Sequence, residues 1–337
     1  MRRIISLILM VALVTGALFA AGQADAQPAE DKVFEATFAH VVRPTIAKGV
    51  AADMFADMVR ERSNGRLDIS VYPDSQLGND REITEQMQLG DIEFNAPFTG
   101  VLPAFVPQTQ LFDLPFAFDD SFHAYDAMHG AVGEILNAYL LKQGLRVLGY
   151  WDGGFKHMTN NARPIHTPAD MSGLRFRVSQ SPLLISQFAA LGANGVDIAF
   201  AELYTALQQG TIDGQENTLA NIFTRRFYEA QKYLTLSGHG YLGYAFLVSE
   251  GFYQSLPNDL QKIVDEVAEE VSVWQWEQAR AEDMEYLKKL RETDIEITEL
   301  SAAEKQAFVD ATKSVYDVFR DSIEGADKLI EALEQSR

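Results

Sequence analysis

The chain has no cysteine among its 337 residues. That excludes disulfides, thiolate nucleophiles, iron–sulfur clusters, cysteine-zinc sites and a lipid-modified cysteine behind an export leader. Positive charge is also scarce: 28 lysines and arginines stand against 48 aspartates and glutamates, a formal net charge of −20. A chain of that sign is a poor partner for nucleic acid or for an anionic membrane surface. An anionic ligand would gain nothing from long-range steering, so a local cluster of positive charge would have to capture it. Past residue 21 there is no run of about 20 consecutive apolar residues, the length a membrane span needs. No stable membrane insertion of the mature chain is expected. The six histidines form no HExxH or other close ligand spacing, and neither a GxSxG elbow nor a GxxxxGK[ST] loop occurs. Catalytic zinc, a serine-hydrolase elbow and a P-loop are unsupported, no cofactor is implied, and nothing selects two carboxylates for glycosidase chemistry.

An export leader is present. Arg2 and Arg3 precede a mostly apolar run over residues 4–21, and Ala24-Asp25-Ala26 is an A-x-A cleavage pattern, so cleavage is expected after Ala26. A leader of this kind without an acylatable cysteine points to a freely diffusing periplasmic protein. About 310 residues remain, more than one comfortable core, so two domains are expected. Residues 33–39 read as a strand, 46–62 as a helix with Val50, Met54 and Met58 on one stripe beside Phe55 and Val59, and 67–72 as a second strand. Strand, helix, strand at this spacing is a βαβ unit and predicts a parallel sheet. A helix over 82–89 and a strand over 92–95 follow. In the middle of the chain, strands are expected at 145–151, 175–178 and 197–200, and helices at 182–191 and 202–209. Residues 258–293 lack glycine and proline and predict one helix of about 54 Å, longer than a single domain is wide. Residues 301–334 add further helix with Phe308, Val315, Phe319 and Ile323 as its apolar face.

Gly238-His239-Gly240-Tyr241-Leu242-Gly243 fits GxGxxG letter for letter. A dinucleotide loop needs a helix next, whereas residues 244–248 read as a strand, so the glycines are expected to let the chain cross between domains. The residues with the clearest chemistry lie at 174–178, where Leu174, Phe176 and Val178 alternate with Arg175 and Arg177. Both arginines then face one side of a strand among apolar neighbours. A buried guanidinium needs a carboxylate or phosphate partner, and spacing alone leaves open whether the protein or a ligand supplies it. Lys156, His157 and Arg163 lie shortly upstream. Asn217 follows the Asp213-Gly214 turn, where its amide either donates to a carboxylate or caps the helix beginning near Thr218.

Several blocks together resemble the solute-binding subunits of tripartite ATP-independent periplasmic (TRAP) transporters, in particular their C4-dicarboxylate-binding branch. They include Phe38-Ala39-His40-Val41-Val42, Tyr72-Pro73-Asp74-Ser75-Gln76-Leu77-Gly78, Asp113-Leu114-Pro115-Phe116, Gly154-Phe155-Lys156-His157, Gly173-Leu174-Arg175-Phe176-Arg177-Val178 and the stretch 202–217. The resemblance implies an α/β, two-domain periplasmic-binding-protein-like fold with a hinge, a ligand cleft between the domains and a long helix spanning both. Domain I is expected at 27–153 plus 243–282, and domain II at 154–242 plus 283–337. It implies a binding protein, not an enzyme, that closes on a small organic acid and delivers it to a TRAP permease. By the same resemblance Arg177 takes the ligand carboxylate, Asn217 lies beside it, Phe200 packs on the ligand and Lys156 holds the place of a second basic residue. His40, Asp80, Phe98, Thr99, His239 and Tyr241 map to segments lining the cleft. Members that bind sialic acid carry a glutamate near Phe98, so its absence suits a smaller, plainer acid. The alternatives are a secreted lyase or isomerase, with His239 or Asp80 as base, and a ligand-reporting subunit of a membrane sensor.

Overall fold

The computed structural model describes residues 32–337. The leader and cleavage site assigned to residues 1–26 lie outside them. In chain order the strands are β1 (Phe34–Ala39), β2 (Leu67–Tyr72), β3 (Phe94–Asn95), β4 (Leu145–Asn160), β5 (Arg175–Val178), β6 (Asn194–Asp197), β7 (Gly214–Asn217), β8 (Tyr233–Ser249) and β9 (Glu296–Glu299). The helices are α1 (Ala47–Arg62), α2 (Asp80–Leu89), α3 (Ser121–His129), α4 (Ala131–Lys142), α5 (Pro182–Ala190), α6 (Leu203–Gln208), α7 (Leu219–Thr224), α8 (Glu250–Ser255), α9 (Asn258–Arg291), α10 (Ala302–Ala311), α11 (Ser314–Ser322) and α12 (Ala326–Gln335).

The first three elements form the expected βαβ unit, with β1 and β2 parallel from Phe34 opposite Leu67 to Ala39 opposite Tyr72. Helix α1 buries Ala51, Ala52, Phe55, Ala56 and Val59, while Val50 is exposed. The large-residue stripe through Val50, Met54 and Met58 is therefore not the buried one. Small alanines let the helix lie close to its neighbours, which a row of long side chains would prevent. Helix α2 starts on a capping box between Asn79 and Glu82 and stops at Gly90 in the left-handed conformation.

One mixed sheet runs through the molecule in the order β2-β1-β3-β8-β4-β7-β5-β6, with β9 added beside β8. Strands β4 and β8, 16 and 17 residues long, pair antiparallel along nearly their whole length. At one end of β8 lies the half-sheet with β3, and at the other β9 pairs with Tyr233 to Leu236. The GxGxxG residues sit inside β8 and pair with β4, Gly240 opposite Lys156 and Gly243 opposite Asp152. That is ladder backbone, without the helix a phosphate loop needs. The strand expected at 197–200 is instead β6, because parallel pairing with β5 sets its register and ends it at Asp197 opposite Val178. Phe200 opens a 3-10 turn, Phe200–Glu202.

Helix α9 is a single helix of 34 residues, as the gap in glycine and proline predicts. It is fastened where β4 crosses beneath it. Trp151 Nε1 donates to Ser272 Oγ at 2.9 Å, both ends of the Gln275 amide engage the Asp152 backbone at 2.8 and 2.7 Å, and Trp276 Nε1 donates to the Tyr150 carbonyl at 2.6 Å. The C-terminal region is three helices, α10 to α12, and buries Phe308, Val315, Phe319 and Ile323 as expected. An aromatic core of Phe38, Phe55, Phe94, Trp151 and Phe246 packs under the β1–β3 half, with Phe38 stacked on Phe246 at 5.6 Å. A separate cluster around Phe176, Phe188 and Leu191 supports the β5–β6 half.

Candidate functional site

The two arginines of β5 diverge. Arg175 is exposed, its Nη2 2.8 Å from Asp213 Oδ1 and 3.0 Å from the Gly210 carbonyl. Its partner comes from the protein. Arg177 is 5% exposed, and Nε donates to the Ile198 carbonyl at 2.8 Å. Among the described residues no carboxylate lies within 4.0 Å of it, and its two terminal nitrogens make no protein hydrogen bond. Burial pulls its pKa down while Glu216, Asp197 and Asp80 hold it up; a guanidinium stays charged under such a contest.

Arg177 lines a cavity whose empty volume, counting its mouth, is about 610 Å³. Val41, Val42, Phe98, Val101, Ile198, Phe200 and Leu242 make its apolar walls, and Ser75, Asp80, Gln180, Asn217 and Tyr244 add polar groups. Asn217 ends β7. Its Oδ1 accepts from Thr218 N at 3.1 Å and from Asn221 Nδ2 at 2.8 Å, so the oxygen is occupied and the amide donors are left for the cavity. Helix α7 has no side-chain cap, so Asn217 does not act as one. The Phe200 ring lies between two guanidinia, with Arg225 5.0 Å and Arg177 6.0 Å from its centroid. Arg225 is answered by Asp74 at 3.0 Å.

Lys156 is placed differently from the expectation. Its ammonium is 2.6 Å from Glu216 Oε2, both side chains 1% exposed, and His239 Nε2 stands 3.3 Å from the same oxygen. Burial alone would raise the Glu216 pKa, but Lys156 and His239 bring it down to about 2. The ammonium reaches this position because β8 carries no side chain opposite it: a Cβ on Gly240 would come within 2.7 Å of Lys156 Cε. Lys156 lies behind Phe98, 5.5 Å from the ring centroid, and is not on the cavity wall. His239 is equally enclosed, its Nδ1 2.7 Å from Ser237 Oγ.

Three further expected residues also lie off the wall. His40 continues the buried face of β1, edge-on to Phe38 at 6.2 Å, and burial lowers its pKa to about 3. Val41 and Val42 take the cavity in its place. Tyr241 points to the opposite side of β8 from Leu242 and Tyr244, and its hydroxyl donates to Asp152 at 2.7 Å. Thr99 is fully buried at the start of a 3-10 turn. Arg177, Asn217, Phe200, Asp80 and Phe98 are thus brought together. Ser75, Arg81 and Gln180 were missed. They flank strand and helix ends, where no periodicity marks an inward-facing side chain.

Residues 38–322 match the bacterial extracellular solute-binding proteins, family 7 (DctP). The chain belongs to this family. Among family 7 relatives, the C4-dicarboxylate-binding protein DctB of Bacillus subtilis is 37% identical over 298 residues, covering 88% of this chain and 85% of that one. A TRAP periplasmic solute-binding protein from Sulfurospirillum deleyianum, solved with bound succinate, superposes with a TM-score of 0.87 at 38% identity, covering 91% of this chain and all of that one. The sugar acid binding protein DctPAm from Advenella mimigardefordensis, in complex with galactonate, gives 0.88 at 30% identity, covering 91% and 99%. The family 7 architecture is the two-domain α/β fold the sequence implies. No described helix is long and apolar enough to cross a membrane.

Proposed function

We propose that this family 7 protein is exported to the periplasm, captures a small organic acid of the C4-dicarboxylate class (succinate, fumarate or malate) in the cleft, and passes it to a TRAP permease. One observation carries the reading: Arg177 is a buried guanidinium on a cavity wall, with no carboxylate within 4.0 Å of it among the described residues. A ligand carboxylate completes it, taking both terminal nitrogens at about 1.5–3 kcal/mol for each charge-assisted hydrogen bond. Asn217 adds a neutral donor, and Phe200 and Phe98 cover the ligand's carbon chain. The division into 27–153 plus 243–282 and 154–242 plus 283–337 puts Phe98 and Asp80 on one domain and Arg177, Asn217 and Phe200 on the other. The ligand then touches both, and contacts made only in the closed form shift the open–closed equilibrium. Closure expels water and strengthens each polar contact.

Binding rather than catalysis suits this arrangement. His239, a candidate base for a lyase or isomerase, is held by Glu216 and Ser237 and lies off the cavity wall. Thermal unfolding against a panel of mono- and dicarboxylates tests the reading. At 100 times its dissociation constant a ligand adds about 2.7 kcal/mol of stability, a shift of several degrees. A dicarboxylate shift is expected in the wild type and is lost in Arg177→Ala. An unchanged shift in that variant removes Arg177 from the site, and a panel with no shift rejects the ligand class.

A further inference from the structure

The cavity that Arg177 lines also contains buried acceptors. Asp80 Oδ1 and Gln180 Oε1 are both shut off from solvent on its wall, and neither has a hydrogen-bond partner among the described residues. The other Asp80 oxygen has only a long 3.5 Å contact from Phe98 N. No cation lies within 4.0 Å of Asp80 among the described residues. Lys48, the buried lysine nearby, keeps its ammonium over the Tyr244 ring at 4.2 Å from the centroid. Ser75 Oγ, also on the wall, is buried without a partner too. The cavity wall thus carries acceptors without donors, the Asp80 carboxyl and the Gln180 amide oxygen, as well as the cation and amide donors of Arg177 and Asn217.

That pattern matters for the ligand. A plain diacid such as succinate offers acceptors only. Closing on it would leave Asp80 unpaired and set a second carboxylate against it. An ionised carboxylate with no donor is among the costliest groups to enclose. A site built around a substrate hydroxyl discriminates strongly against the analogue without one.

We propose that the ligand is a hydroxylated organic acid, its carboxylate on Arg177 and a hydroxyl donating to Asp80, with Gln180 and Ser75 serving further hydroxyls. This rests on the organic-acid reading above and narrows it within that class. Burial pushes the Asp80 pKa above the usual carboxylate value, against the pull of Lys48, the Phe98 amide and Arg177, so a neutral hydroxyl donor suits this carboxyl and an ammonium is not required.

The test is calorimetric titration of the mature protein with succinate, 2-methylsuccinate, L- and D-malate, tartrate, a C4 to C6 aldonate and L-aspartate. The tightest hydroxy acid is expected to bind at least tenfold more tightly than succinate. 2-Methylsuccinate, with a methyl group where malate has its hydroxyl, should resemble succinate. In Asp80→Asn the new amide donor can meet a carboxylate, so succinate gains and the gap falls to within about threefold. The wild-type comparison needs no variant to fold. If succinate binds as tightly as every hydroxy acid, or L-aspartate binds best, the hydroxyl assignment fails while the organic-acid reading stands. An unchanged gap in a folded Asp80→Asn protein removes Asp80 from it. If no acid binds, both readings fail together.

Discussion

Arg177 and Lys156 lie on strands either side of β7, both nearly sealed from solvent, yet their charges are treated in opposite ways. Lys156 meets Glu216 at 2.6 Å, with His239 completing the group. Arg177 is held by one backbone carbonyl and faces the cavity with its fork unanswered. Strand β7 divides the work between adjacent residues, Glu216 serving the lysine and Asn217 lining the cleft. On the reading proposed above, a buried charge with an internal partner belongs to the structure, and one whose partner is withheld is kept for a ligand. Burial alone does not separate these two cases; the position of the nearest carboxylate does.

That contrast can be broken by substitution. Lys156→Met leaves the buried Glu216 with His239 alone beside it, a loss of about 3 kcal/mol in the folding free energy read by urea unfolding. Lys156→Met with Glu216→Gln should recover much of it. A stable single variant would mean that the pair does not hold charge in the folded protein. The same pair has a pH signature. Glu216 titrates near 2 when folded against 4.5 for a free carboxylate, so its contribution is full above 4.5 and is lost as the pH falls toward 2. The stability difference between wild type and Glu216→Gln should be flat above 4.5 and shrink below it, and a flat difference throughout would contradict the assignment.

On the cleft side the effects fall on affinity. Asn217→Ala removes one neutral donor and is expected to weaken ligand binding about tenfold, or about 1.4 kcal/mol, in calorimetric titration. Phe200→Leu keeps the apolar cover and loses the aromatic face beside Arg177 and Arg225, about 0.5–1 kcal/mol. The smallest effect is expected for Arg177→Met on the unliganded protein, whose melting temperature should be equal or higher because an unanswered buried charge is gone. A fall as large as that of Lys156→Met would make Arg177 structural and erase the contrast.

Much of the fold was legible because its signals are local. The β1–α1–β2 unit, the stop at Gly90 and the long α9 follow from alternation, glycine and the absence of breakers. The strands β4 and β8 were read short, since Gly153-Gly154 and the glycines at 238 and 240 interrupt the period while long-range pairing carries the ladder through. The buried face of α1 was read in part: Phe55 and Val59 lie on it as expected, whereas close packing selected Ala51, Ala52 and Ala56 over Val50, Met54 and Met58 to complete it. At the site, alternation placed both arginines of β5 on one face but could not rank them; Asp213 answering Arg175, and no carboxylate within 4.0 Å of Arg177 among the described residues, are facts of tertiary contact. The role of Lys156 was hidden for the same reason. All four residues of β7 are buried, so no pattern says that Glu216 turns toward the lysine.

The most direct measurement is a crystal structure of the protein with its acid bound. One ligand carboxylate should take both terminal nitrogens of Arg177 at about 2.7–2.9 Å, with Asn217 beside it and Lys156 still on Glu216. A carboxylate seated on Lys156 with Glu216 displaced, or an Arg177 left without a ligand contact, would contradict the division of roles between the two cations.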